Sequence, residues 1–270
     1  MSSAISPFLK WAGGKRWLPL RPEFTVPPIK GRYIEPFLGG GAVFFHCRPR
    51  LALLSDLNSE LINTYIAIRD DWRSVVERLA VHQELHSDEY YYDVRSSKPN
   101  SKIGRAARFI YLNRTCWNGL YRENLNGMFN VPRGTKNRVI LPEDNFEEVS
   151  SRLQAAEIKV SDFEESVAQA GQGDFIFLDP PYTTAHNNNG FIKYNEAIFT
   201  WEDQVRLKDC ACRAAERGAR VVITNADHES LRELYRDAGT IRSIDRASVI
   251  SGANLGRGRT SELLILMGCD

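Results

Sequence analysis

Asp179-Pro180-Pro181-Tyr182 follows the run Asp174-Phe175-Ile176-Phe177-Leu178, which reads as a buried parallel strand that delivers a carboxylate at its carboxyl end. That end of an α/β sheet is where ligands are held. The two prolines fix φ and remove N–H donors, so the Pro180 carbonyl is presented rigidly beside the Asp179 carboxylate, with the Tyr182 ring next in the chain. Two acceptors and a stacking face suit a planar amine. Upstream, Gly39-Gly40-Gly41 can bring backbone close to a ligand and aim a helix amino terminus at it, although the spacing is neither G-x-G-x-x-G nor a phosphate-binding loop. Asp56 closes the next apolar run, where an acid either holds the ribose hydroxyls of an adenosine-containing ligand or caps the helix that follows; the two roles are compatible. Phe8-Leu9-Lys10-Trp11-Ala12-Gly13-Gly14-Lys15 combines two lysines, an indole and a glycine pair. It is either an ordered arm whose Trp11 packs on the core, or a ligand contact in which Lys15 meets a carboxylate.

These residues need a β/α alternation to position them. Tyr33–Glu35 is a short strand candidate, 42–47 the start of a helix, 51–56 a second strand, and 57–67 resumes helical spacing. The alternation returns with strands at 157–160 and 174–178, a helix at 201–217 and a strand at 220–225. Segments 240–250 and 262–267 close as a hairpin around the basic, glycine-rich loop Ser251 to Arg259, which is either a contact to a nucleic-acid backbone or a plain hairpin tip. Between 57 and 157 the alternation is lost, and the chain reads as helical and then loop-rich.

The 270 residues suffice for one large domain or for one domain with a substantial insertion. A formal net charge of +1 says nothing about nucleic acid, but it hides a local asymmetry. From Lys98 to Arg138 nine basic residues face one acid, Glu123, and they interleave with Tyr111, Trp117, Tyr121 and Phe129. A solvated helical face is the bland account; the aromatic mixing favours a nucleic-acid surface. No stretch approaches the roughly 20 apolar residues of a membrane span, and the amino terminus lacks a basic region followed by an apolar core, so the expected address is cytosolic. The five cysteines (Cys47, Cys116, Cys210, Cys212, Cys269) lack the paired spacing of a zinc site; reduced thiols and no metal site are expected.

Taken together, FLKWAGGK at 8–15, EPFLGGGAVF at 35–44, Asp56 to Asn58, LNRTCWNGLYR at 112–122 with Phe129 to Pro132, and DPPY at 179–182 closely resemble the Dam family of DNA adenine-N6 methyltransferases. The order of the motifs is that family's alpha arrangement. The resemblance spans residues 8 to about 200. It implies an α/β fold: a Rossmann-like S-adenosylmethionine-dependent methyltransferase sheet, residues 1–56 and 158–270, with an inserted, mainly helical target-recognition domain at 57–157. It assigns Trp11, Lys15, Phe37, Gly39, Gly41, Asp56, Asp162, Phe163 and Asp179 to binding S-adenosyl-L-methionine, which leaves as S-adenosyl-L-homocysteine, and Asp179, Pro180 and Tyr182 to catalysis. Lys10, Asn118, Leu120, Arg122 and Pro132 fall at DNA-contacting positions within GATC; Trp117 sits where a ring enters the duplex, and Arg114 is expected at a phosphate. The implied partner is double-stranded DNA, the implied setting the nucleoid of a bacterial or phage-infected cell, the implied state a monomer.

The chemistry of those roles follows independently. Adenine N6 is a poor nucleophile because its lone pair is delocalised into the ring; acceptance of its two N–H bonds by Asp179 and the Pro180 carbonyl favours a pyramidal nitrogen aimed at the methyl donor. The amine is inaccessible inside a duplex, so the base must flip out and stack on Tyr182, with a wedge such as Trp117 filling the gap. Arg122 suits a bidentate contact to guanine, or else a phosphate clamp. Lys136 stands where some Dam-like enzymes carry an aromatic, and Trp117 replaces a smaller Tyr or Phe. Methylation of cytosine N4 or of RNA adenine, and a catalytically silent DNA-binding relative, are the competing readings. A NAD-dependent oxidoreductase is disfavoured by the missing G-x-G-x-x-G.

Overall fold

The computed structural model describes residues 5–124, 127–184, 199–247 and 259–268. Seven strands form one mixed α/β sheet in the order β3-β2-β1-β4-β5-β7-β6. The strands are β1 (Tyr33–Glu35), β2 (Ala52–Asp56), β3 (Ala156–Val160), β4 (Phe175–Leu178), β5 (Arg220–Ala226), β6 (Thr240–Ala247) and β7 (Arg259–Met267). Every side chain of β1 and β4 is buried, as expected of strands covered on both faces. Edge strand β3 instead alternates, burying Ala156 and Ile158 and exposing Glu157. The order reverses between β1 and β4, which makes their carboxyl ends a topological switch point.

Packing divides the chain into two compact units. The first takes residues up to Phe24, Leu38–Arg50 and Leu54–Val160. It holds α1 (Ala42–Cys47), α2 (Ser59–Leu85), α3 (Asp88–Ser96), α4 (Lys102–Thr115), α5 (Phe146–Leu153) and β3. Asn58 starts α2 by accepting from the Leu61 N–H at 2.9 Å. The helix breaks at Asp71 (φ −152°, ψ 67°), whose carboxylate recaps the chain at Ser74 N, 3.2 Å away. The α2 residues Leu61, Ile62, Tyr65, Ile68 and Val75 and the α4 residues Phe109 to Leu112 supply buried side chains to this unit's core.

The second unit takes Thr25–Phe37, Leu51–Leu53 and Ser161 onward. Here β1, β4 and β5 run parallel, with Tyr33 opposite Phe175 and Phe175 opposite Arg220, while β7 lies antiparallel between β5 and β6. Its helices are α6 (Phe163–Ala168), α7 (Trp201–Glu216) and α8 (Glu229–Leu234). A capping box of Thr200 and Asp203 starts α7, whose buried Leu207, Cys210, Ala211 and Ala214 join Ile176, Leu178, Val221 and Ile223 in one apolar cluster. The expected strands and the hairpin are present, and β7 begins three residues earlier than the apolar run suggested. Positions 251–258 of the basic hairpin loop lie outside the described residues.

Candidate active site and nucleic-acid interface

In the second unit, Asp179 leaves β4 half-buried, and the Thr224 hydroxyl of β5 donates to its Oδ1 at 2.7 Å. The Tyr182 hydroxyl donates to Glu262 Oε2 at 2.7 Å. Burial first, then the Asp179 and Glu262 carboxylates, push the Tyr182 phenol well above its ordinary value, so it stays a donor. Half-buried Phe37, just past β1, stacks on Phe163 with ring centroids 5.5 Å apart, and both rings pack against Phe199. Asp162 caps α6 through the Glu164 N–H at 2.9 Å and pairs with Arg206, whose guanidinium covers Phe163 at 4.3 Å. The Asp162 carboxylate therefore shapes the start of α6 and fixes Phe163.

In the first unit, Gly39 and Gly41 both adopt positive φ (45° and 63°). A Cβ at Gly39 would meet Trp11 Cδ1 at 2.6 Å, so only glycine lets the indole lie on the turn. Trp11 also stacks on Tyr121 (5.9 Å, 17°), which makes it a core-packed arm residue as well as a wall of the turn. Asp56 ties β2 to this turn: Oδ2 accepts from Gly39 N at 3.1 Å, and Oδ1 from Asn58 N at 3.0 Å. Desolvation raises its pKa against the pull of those N–H groups. With the Leu57 N–H also bonded to this carboxylate, three of its roughly four acceptor directions are taken, and capacity for one further hydroxyl remains. Lys15 is buried and donates to the Gly13 carbonyl at 2.8 Å.

The same unit gathers most of the residues expected at DNA. The Lys10 backbone is pinned by the buried Asn113 side chain, with N to Oδ1 at 2.9 Å and Nδ2 to O at 2.8 Å. Asn118 and Gly119 are consecutive left-handed residues (φ 57° and 67°) and leave Trp117 half exposed, at 53%. Trp117 N donates to the Pro132 carbonyl at 2.9 Å, closing the loop on itself. A Cβ at Gly119 would meet Lys10 Cδ at 2.6 Å, so the loop lies against the lysine stem. Leu120 is half-buried; exposed Arg122 donates through Nε to Asn130 Oδ1 at 3.0 Å. Contact with the Lys136 amine, in which only a neutral partner can accept, joins partial burial to pull Lys10 down to about 8.

Arg114 overturns its expectation as a phosphate contact. It is buried, with Nη1 on the Val139 carbonyl (2.7 Å) and Nη2 on the Phe8 carbonyl (2.9 Å) and on Asp144 Oδ1 (2.7 Å). Its donors anchor the amino-terminal arm and the 139–144 segment, because a guanidinium surrounded by internal acceptors has none left facing solvent.

A family model, D12 class N6 adenine-specific DNA methyltransferase, matches residues 11–249. The chain belongs to this family. Among curated relatives, the type II methyltransferase M1.LlaDCHI of Lactococcus lactis subsp. cremoris is 38% identical over 97% of this chain and 95% of its own length. The DNA adenine methylase of Escherichia coli (strain K12) is 34% identical over 96% and 94%. The rRNA methyltransferase aviRa from Streptomyces viridochromogenes aligns at 13% identity over 91% of this chain and 87% of its own, with a TM-score of 0.35, and carries no argument. In this D12-class methyltransferase, Asp179 and Tyr182 stand just past the carboxyl end of β4.

Sequence reasoning missed Thr224 and Glu262. Thr224 sits inside the apolar run of β5 and carried no signal of its own. Glu262 heads an apolar run, whereas Asp56 and Asp179 end theirs; because β7 is antiparallel, its head reaches the same edge, opposite Ala226 at the end of β5. Among the described residues no helix is long and apolar enough to cross a membrane, and no group of three His, Cys, Asp or Glu is placed to hold a metal.

Proposed function

We propose that this D12-class enzyme transfers the methyl group of S-adenosyl-L-methionine to N6 of an adenine flipped out of duplex DNA, within GATC, and releases S-adenosyl-L-homocysteine. The observation that carries the reading is the pairing of Thr224 with Asp179 and of Glu262 with Tyr182 at the carboxyl edge beside the β1/β4 switch point. A carboxylate, a rigid carbonyl and a tethered ring match a planar amine in number and kind.

The residues present suit the proposed donor. Asp56 retains acceptor capacity for a ribose, Gly39 and Gly41 give a turn without side chains, and Phe37 is a partly exposed ring backed by Phe163. Trp11, Lys15, Asp162 and Asp179 complete the proposed set, Asp162 acting through the cap that sets Phe163. The bound cofactor supplies an electrophilic methyl on a sulfonium. Asp179 and the Pro180 carbonyl accept from the target amine, orient its lone pair and stabilise the positive charge that grows on nitrogen. Tyr182 holds the extruded ring.

For the duplex, residues 57–157 read sequence and 1–56 with 158–270 perform transfer, although the compact unit that holds 57–157 also takes in residues up to Phe24, Leu38–Arg50 and 54–56. Lys10, Arg122, Asn118, Leu120 and Pro132 belong to the reading surface, and exposed Trp117 is the wedge. A monomer working on DNA in the cytoplasm fits these roles. Mapping N6-methyladenine in DNA from cells expressing this chain alone tests reaction, base and site together. Modification confined to GATC is expected; N4-methylcytosine, or methylation only of RNA, overturns the reading.

A further inference from the structure

Thr224 and Glu262 are buried polar residues at the carboxyl edge, 1% and 5% exposed, that the proposed transfer step leaves without a part. In the antiparallel register Thr224 faces Leu264 and Ala226 faces Glu262, so the two side chains lie diagonally on one face of the β5–β7 pair. The Thr224 hydroxyl has one hydrogen and three oxygens about it: Asp179 Oδ1 at 2.7 Å, the Leu178 carbonyl at 3.4 Å, and the Tyr182 hydroxyl. The carboxylate is the charged acceptor and takes the hydrogen, which leaves the Thr224 oxygen between Asp179 and Tyr182.

We propose that Thr224 and Glu262 are positioning residues that set the Asp179 carboxylate plane and the Tyr182 ring for the target amine. A carboxylate rotates in a broad well about its terminal torsion, and one directed donor narrows that well, which decides how its lone pairs meet an N–H. The Tyr182 ring is held at both ends: its hydroxyl on Glu262, and the backbone beside it by Thr183, whose hydroxyl donates to the Phe199 carbonyl at 2.7 Å. Burying an acid among the leucines of β7 is costly, and a fixed phenol donor beside it offsets part of that cost. A ring fixed in this way presents a ready stacking face and does not have to be ordered by the base.

This inference rests on the roles given above to Asp179 and Tyr182, and its test keeps the two apart. Single-turnover methyl transfer and the fluorescence of 2-aminopurine at the target position are measured for Tyr182→Phe, Glu262→Leu, Glu262→Gln and the double variants. Losing the phenol–carboxylate bond is expected to slow transfer about ten-fold, the weight of one hydrogen bond to a charged group. It should also lower the 2-aminopurine signal. Glu262→Gln, whose amide oxygen still accepts, should recover most of both, and Glu262→Leu should add nothing in a Tyr182→Phe background. Thr224→Val should slow transfer by a similar factor, and Thr224→Ser should restore it. Should Glu262→Leu fail to fold, the Tyr182→Phe and Glu262→Gln pair still reads the coupling. Additive losses, or 2-aminopurine signals unchanged throughout, overturn the positioning role. If Asp179→Ala is inactive while the losses are additive, only this inference falls; if Asp179→Ala turns over normally, the reading beneath it falls.

Discussion

The two units hold their functional residues in different ways. In the second, Asp179 accepts from Thr224 of β5 and Tyr182 donates to Glu262 of β7, so each is fixed by a side chain of another strand. In the first, the loop bearing Trp117 and Arg122 is shaped by left-handed backbone at 118–119, by bonds such as Trp117 N to the Pro132 carbonyl, and by the buried Asn113 and Arg114 of α4. Single atoms can therefore be removed from the proposed chemistry with the scaffold intact, whereas the proposed reading surface is a collective object that responds to substitutions beneath it.

The contrast orders the expected effects. Asp179→Ala should cut methyl transfer by ~10³-fold or more, the range for losing a preorganised charge contact, with duplex binding retained in gel-shift titration. Arg114→Ala should cost about 3 to 5 kcal/mol of stability in urea melts by stranding Asp144, a loss that has no counterpart at Asp179. Arg122→Ala should relax base preference by about 1 to 3 kcal/mol in competition with altered sites; an unchanged preference reassigns it to the backbone. Gly119→Ala should cost about 1 to 2 kcal/mol, since a left-handed residue gains a Cβ against Lys10, and weaken DNA binding without changing the single-turnover rate at saturating DNA. Smallest is a pH effect. Lys10 is lowered to about 8, so its charge, and with it the salt-sensitive part of DNA affinity, is lost as pH rises through 8. Lys136→Met returns Lys10 towards its ordinary value and should move that loss to higher pH.

Residue order revealed the strands whose ends carry acids, because an apolar run closed by Asp at 56 or 179 is a local pattern. It also revealed the helical character of 57–157 and the hairpin at 240–267. It could not disclose that Arg114 turns inward, since the acid that receives it, Asp144, lies 30 positions away and looks like any loop acid. Glu262 stayed hidden for a different reason: strand direction is a property of the sheet, and the same acid-plus-apolar pattern means opposite edges in opposite directions. Trp11 shows a third case. Its neighbours, the Tyr121 ring and the Gly39 turn, come from positions far along the chain, and no local pattern pairs them with the indole.

The placement of β7 has a consequence for biosynthesis. It is threaded between β5 and β6, both of which leave the ribosome earlier, so β6 has no neighbour and β5 keeps an open edge until residues 259–267 have emerged. A chain interrupted before Arg259 would carry an unpaired, aggregation-prone edge together with a Tyr182 that lacks its Glu262 anchor. Completion of one strand thus joins β5 to β6 and seats the tyrosine in the same event.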